Sequence, residues 1–443
     1  MLDPKRSPLN RRSFLYSGSS ALGASVALNG VLSRADDWPQ WRGVDRSGRW
    51  SESGILQTLP LGRMPLVWSV PISSGYSGPV IADGRVFVTD KLESSERVLC
   101  FSEADGKELW KHEYPCLYKI DYAAGPRASV TVDQGQAFAL GAMGDLHMIE
   151  ASTGKILWHR DLNVDYQIDM PIWGIAASPL VYQDVVIVNI GAKEGASVLG
   201  LDRLTGKERW RSLDDRAQYS APILIRQSNR DVVVIWTGDN VVGLDPLTGK
   251  PYWKIPFTPT KMPIGVATPI VEGDRLFVSS FYDGSMMIRI PADRLEAEKL
   301  WHIRGKDEKN TDALHAMIGT PIFRNGYIYG VDSYGQLRCL NADSGARVWE
   351  DTTATPQERW STIHFVQHAD DTWMLNELGE LLIAKLTPEG FTEKSRSKLI
   401  EPTLPQLPSR RKGRGVCWSH PAFANRHVFA RSDEQLVCAN CSA

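Results

Sequence analysis

Nine side chains suited to gripping or reacting with a ligand stand in short segments that lead into apolar runs. Tyr76 is in "YSGP", Arg127 in "GPRAS", and Asp169 and Trp173 are in "DMPIWGIAASP". Tyr219 is in "AQYSAP", His315 in "ALHAMIGTP", Trp360 in "ERWSTIH", and Trp418 and His420 are in "VCWSHP". Aromatic faces beside a guanidinium stack on planar ligands, so Arg127, Trp173, Tyr219, His315, Trp360, Trp418 and His420 are the candidate binding residues. Asp169 is the candidate catalytic residue, as a base or an oxygen ligand for calcium. The competing reading is structural: the same residues would plug and solvate the mouth of a channel.

Other chemistries find less support. The chain has neither a G-x-S-x-G elbow nor an H-E-x-x-H metal motif, which argues against the common hydrolases. Six cysteines are present, at 100, 116, 339, 417, 438 and 441. Cys438-x-x-Cys441 has the spacing of a redox pair, but Ser442 stands where a c-type haem site needs histidine. No second pair completes a metal site, so no metal ligands are assigned. A disulfide after export remains open at this point.

The elements that must position these residues are legible as repeats. "STGKILW" at 152–158, "LTGKERW" at 204–210 and "LTGKPYW" at 247–253 repeat one phrase, and "ADGKELW" and "DSGARVW" are weaker copies. Residues 319–350 show the whole unit: four short strands joined by three tight turns, with Asn325-Gly326 in the first. In "LDPLTGKPYW", Asp245 caps the last turn, Gly249 takes its left-handed position, and Trp253 follows as a packing anchor. Trp68, Trp110, Trp158, Trp210, Trp253, Trp301 and Trp349 recur at intervals of 42 to 52 residues. Four strands at that period predict an all-β, eight-bladed β-propeller of four-stranded antiparallel blades. The eighth unit supplies only three strands, so "PLVWSVPI" at 65–72 is expected to complete it and close the ring. In such a ring the segments quoted above, each joining a fourth strand to the next first strand, meet at the axis.

The N-terminus reads differently. Arg11-Arg12, Phe14-Leu15, a weakly apolar stretch and Ser33-x-Ala35 resemble a twin-arginine export signal, giving a signal at 1–35 and a propeller at 36–443. A retained anchor is the alternative, although Ser17, Gly18, Gly23 and Asn29 interrupt the stretch. The expected location is the periplasm or cell envelope, with no transmembrane segment after cleavage. Without the signal the chain would carry 45 basic and 51 acidic residues, which argues against a nucleic-acid binder. A local basic stretch, 394–414, reads as a solvated loop, with an anionic partner as the lesser reading.

The phrase D-x-x-T-G-K-x-x-W at this period resembles the PQQ-like β-propeller repeat family, and "WPQWRG" at 38–43 resembles the opening of its exported members. The resemblance implies a propeller over nearly the whole mature chain. It leaves two functions open, because the family holds both quinoprotein dehydrogenases, with pyrroloquinoline quinone and calcium on the axis, and BamB, a non-catalytic subunit of the outer-membrane β-barrel assembly machinery. The dehydrogenase pattern is incomplete here. There is no Cys-Cys pair and no Cys-x-x-Cys-His module, and Asn189 is the single loose candidate for the calcium set. The favoured expectation is therefore a binding or scaffold propeller with a protein or small-molecule partner at its face. A quinone- and calcium-dependent oxidoreductase acting on alcohols or sugars is the alternative.

Overall fold

The computed structural model describes residues 36–406 and 411–443. The expected export signal, residues 1–35, lies outside the described residues. The rest forms eight four-stranded antiparallel sheets arranged as an eight-bladed β-propeller. Blades one to seven span 80–115, 131–161, 180–212, 223–256, 270–303, 322–351 and 363–398. The eighth combines 422–440 with Leu66–Pro71, which pairs antiparallel with Gln435–Asn440 and sets Trp68 opposite Cys438. The strand nearest the axis is often only three residues long, as in Val80–Ala82 or Ile322–Arg324.

The repeated phrase does two jobs at once. Within a blade, Asp245 Oδ1 accepts from the Leu247 and Thr248 amides and closes the turn. Gly249 sits at φ +69°, where a β-carbon is disfavoured. Between blades, the same glycine is the floor on which the preceding blade's tryptophan lies. A β-carbon at Gly106 would stand 2.8 Å from the Trp68 ring, at Gly154 2.7 Å from Trp110, and at Gly249 2.3 Å from Trp210. The indoles then donate across the seam: Trp68 to Glu103 O at 2.8 Å, Trp110 to Ala151 O at 3.0 Å, Trp158 to Arg203 O at 2.9 Å, Trp301 to Ala342 O at 3.0 Å. Each acceptor lies three residues before the turn position that the glycine occupies. Blade five lacks the phrase, and Trp253 of blade four donates instead to the Gln227 side chain of its own blade.

Residues 38–50 form no blade. They cross the inner ends of the sheets and plug the channel, with Trp38 bridging Ile81 and Arg49 bridging Gln367. Arg46, 3% exposed, reaches the axis. Its guanidinium donates to Pro222 O at 2.9 Å, Ser178 O at 3.3 Å, Pro179 O and Gln40 Oε1 at 2.9 Å, tying blades three and four to the plug. Arg46→Ala would leave these buried carbonyls unpaired and is expected to cost about 3 kcal/mol, read from urea unfolding of the purified protein. An unchanged midpoint would mean the plug is not fastened through Arg46.

One reading of the sequence needs correction. Among its described residues the 394–414 stretch is not simply a solvated loop, because 394–398 lie on a strand and most of the charges are paired internally. Arg411, buried, pairs with Glu377 and Glu358; Arg414 pairs with Glu358, Lys394 with Asp371, and Arg396 with Glu380 and Glu393. Except for Glu393, the carboxylates come from earlier parts of blade seven and the crossing that leads into it, so the spacing of the basic residues alone could not reveal them. The disulfide question left open by the sequence is answered by six cysteines that are all buried and unbridged. Among the described residues, no helix is long and apolar enough to cross a membrane.

Candidate functional site

Every one of the eight crossings between blades sends a side chain to one axial cavity of about 130 Å³. Tyr76 comes from the crossing into blade one, and Tyr122 and Arg127 from that into blade two. Trp173, Tyr219 and Val266 come from the next three. Met317, Trp360 and Trp418 come from those into blades six, seven and eight. The plug supplies the floor through Trp41, whose Nε1 donates to Thr268 Oγ1 at 2.8 Å.

The wall is a cage of rings. Trp173 stacks on Tyr219 with centroids 5.0 Å apart and meets Trp360 edge-on at 5.5 Å. Tyr122 contacts both tryptophans, and Trp418 lies 6.2 Å from Trp360. Trp360 is held at φ +66°, an uncommon conformation for a bulky residue, where its backbone N–H donates a hydrogen bond to Ser333 O at 2.8 Å. Arg359 clamps it from behind, lying 4.7 Å from its ring centre and pairing with Glu308 at 3.0 Å.

Arg127 is the one charged residue on the wall among the described residues. Its guanidinium lies 5.1 Å from the Tyr76 ring centre. It is pinned by the carbonyls of Gly125, Asp121 at 3.0 Å and Tyr122 at 2.6 Å. Burial draws its pKa below the usual range, opposed by the neighbouring tyrosines. The indole Nε1 atoms of Trp173, Trp360 and Trp418 are buried without a hydrogen-bond partner. The cavity therefore combines stacking faces with one cation, and the three unpartnered indole N–H groups are buried in its wall. At this size it matches one aromatic ring or side chain, since an apolar cavity of roughly 150 Å³ holds benzene.

Of the residues expected at the axis, Arg127, Trp173, Tyr219, Trp360 and Trp418 are on the wall, with Tyr76. Three are elsewhere. Asp169 is exposed and does not line the cavity, although it shares a crossing with Trp173. His315 is fully buried behind the wall, with Nδ1 facing Phe281 O at 2.9 Å and Nε2 accepting from the Gly305 amide at 3.0 Å. His420 is buried beneath it, between Trp38, Trp41 and His364. Trp41, Tyr122, Val266 and Met317 were not singled out from the sequence. Trp41 carries the one usable signal, an aromatic in a segment outside the repeats.

The donor set does not fit a calcium-bound quinone. Calcium takes six to eight oxygen ligands, usually with several carboxylates. Among the described residues, no Asp or Glu lines this cavity. Nor, among them, is any group of three or more His, Cys, Asp or Glu placed to hold a metal. Asn189 lies at the end of the second strand of blade three, off the cavity wall.

Comparison with known proteins gives two sets of relatives. Residues 94–350, more than half of the chain, match the family described as outer membrane protein assembly factor BamB. The chain is 29% identical over 212 residues to quinohemoprotein alcohol dehydrogenase ADH-IIG of Pseudomonas putida, covering 44% of this chain and 28% of that protein. It is 23% identical over 242 residues to outer membrane protein assembly factor BamB of Shewanella oneidensis, covering 50% and 57%. It thus spans less than two thirds of either relative's length. Among solved structures, BamB from Moraxella catarrhalis aligns at a TM-score of 0.56 and 16% identity, over 85% of this chain and 99% of that one. Quinohemoprotein alcohol dehydrogenase from Comamonas testosteroni aligns at 0.62 and 13%, over 91% and 80%. These two structural likenesses bear on the fold.

Proposed function

The chain belongs to the family of outer membrane protein assembly factor BamB, and from that premise we propose that it is an exported, non-catalytic binding propeller of the cell envelope. Its axial cavity takes an aromatic or apolar side chain presented by a protein partner. The observation that carries this reading is the wall itself: Trp, Tyr and Arg contributed by separate crossings, with no carboxylate among them. Those three residue types dominate binding hot spots, because they bury large faces and keep a polar handle. Export fits the arginine pair near the N-terminus, and cleavage after Ala35 would release the propeller.

The alternative is an oxidoreductase using pyrroloquinoline quinone and calcium on an alcohol or sugar. The quinohemoprotein relatives favour it. A quinone dehydrogenase needs stacking slot, metal cage and base held together, and this wall offers the slot alone.

Tryptophan fluorescence separates the two. Aromatic-rich peptides are expected to quench it saturably, and Trp173→Ala is expected to weaken that binding about tenfold with folding unchanged. Tight binding of pyrroloquinoline quinone with calcium, accompanied by dye reduction with an alcohol, would overturn the proposal in favour of the enzyme.

A further inference from the structure

We propose that a second cavity, on the far side of the plug, binds a small organic anion: a carboxylate or phosphate head on a short apolar body. The cavity measures about 260 Å³. Trp41 faces the aromatic cage, whereas Arg42, Asp45, Arg46, Ser47 and Arg49 of the same segment line this second space. Its opposite wall is apolar and comes from the innermost strands of blades four, five and six, including Ile223, Ile270, Ile322 and Phe323.

The charges on the plug side are unbalanced. Arg42, Arg46 and Arg49 line the cavity against one carboxylate, Asp45. Arg49 and Asp45 are exposed at the rim, and Asp45 is engaged by the Ser47 amide at 3.0 Å and the Ser47 hydroxyl at 2.5 Å. Arg42 and Arg46 are 1% and 3% exposed. Neither forms an ion pair with a described residue. The bonds of Arg46 run to carbonyls, Gln40 and Thr131. Arg42 donates from Nε to Arg46 O at 3.3 Å and from Nη2 to Ser47 O at 2.9 Å, and its Nη1 has no partner.

Two other deeply buried guanidiniums in this protein are neutralised, Arg338 by Asp332 at 2.9 Å and Arg411 by Glu377 at 2.5 Å, whereas Arg431, 1% exposed, bonds carbonyls alone but keeps no nitrogen unpartnered as Arg42 does. Burial alone pushes Arg46 down to about 9 and Arg42 to about 10, the latter opposed by Asp45. An anion in the cavity would supply the missing countercharge, and a charge-assisted bond is the strongest kind a guanidinium makes. Gly48 keeps the arrangement open, because a β-carbon there would stand 2.6 Å from Arg42 Nη2. The apolar wall then favours an anion with a hydrocarbon body over a bare ion.

Calorimetric titration of the purified protein with hexanoate, hexyl phosphate and 1-hexanol tests this. Hexanoate or hexyl phosphate is expected to saturate one site per chain, and the tighter of them identifies the head group. Hexanol is expected to bind at least about tenfold more weakly. Arg42→Met is expected to weaken the anion at least about tenfold, and Arg49→Glu, at the exposed rim, about fivefold. Trp173→Ala, in the other cavity, is expected to leave the affinity unchanged. Saturable binding of neither anion, or hexanol binding as well as both, overturns the proposal. Should Arg42→Met fail to fold, wild-type affinity in Arg49→Glu overturns it equally.

Discussion

A chain lacking residues 64–72 is expected to lose about 5 kcal/mol or more of stability, although the deletion removes no residue of the first seven blades. Leu66–Pro71 is the fourth strand of the last sheet, registered from Leu66 opposite Ala439 to Pro71 opposite Gln435. Its removal leaves Gln435–Asn440 as an open edge, with unpaired backbone groups and buried Cys438 uncovered. It also deletes Trp68, 8% exposed, which lies on Gly106 and bonds Glu103 O in blade one. Loss of a buried tryptophan accounts for roughly 3–5 kcal/mol, and each net ladder bond for about 1. Trp68→Ala alone is therefore expected to cost about 3 kcal/mol. Thermal melts of the two variants beside wild type make the measurement. Equal melting temperatures would show that the first and last sheets do not depend on this strand.

Acid is expected to destabilise the ring through two histidines that fold in neutral form. His147, 3% exposed, lies between His112 and His159, with ring centres 4.7 and 4.3 Å away and Tyr114 at 4.4 Å. Burial, then repulsion from those two histidines, pushes its pKa down to about 3 from an ordinary 6.5. His364 is buried beneath the aromatic cage, beside His420, and bonds Trp418 O at 2.9 Å. Burial pushes it down to about 4, and the nearby Arg42 adds to the shift. In the unfolded chain both take up protons below 6.5, and in the folded one only near those lower values. The stability they contribute is complete above about 6.5 and drains as the pH falls toward about 4 and 3, by about 2–3 kcal/mol each at about pH 4.5.

Buried Glu96 and Glu377 act in the opposite direction, since burial raises both and acid relieves their cost. A comparison between variants cancels them. From about pH 7.5 to about pH 4.5, a His147→Phe, His364→Gln double variant should lose about 4–5 kcal/mol less than wild type in urea unfolding. The glutamine amide keeps a donor for Trp418 O. An equal loss in both proteins would mean that these histidines titrate normally in the fold.

The eight blades, their four strands each and the borrowed last strand are legible in the sequence for a local reason. A tight turn demands Asp and Gly at set positions, and a blade seam demands Trp at a set distance. The repeat therefore writes itself out in residue types, as Gly249 and Trp253 illustrate. The crossings that converge on the axis follow from that count, which is why Arg127, Trp173, Tyr219, Trp360 and Trp418 were readable as neighbours.

Which way a crossing residue faces was not readable. Asp169 and Trp173 share one loop without periodicity, and only the folded loop turns Trp173 inward and leaves Asp169 in solvent. His315 and His420 lie within two or three residues of wall positions, yet packing draws both behind the cage. The basic stretch at 394–414 looked solvated because its partners Glu358, Glu377 and Asp371 are contributed by other segments. The plug is the clearest case. Nothing in "WPQWRGVDRSGRW" announces that Trp41 will floor one cavity while Arg42 and Arg46 line another. Local pattern determines a structure built from repeated short-range contacts. Where a unique segment meets carbonyls more than a hundred residues away, as Arg46 meets Pro222, the tertiary structure alone decides.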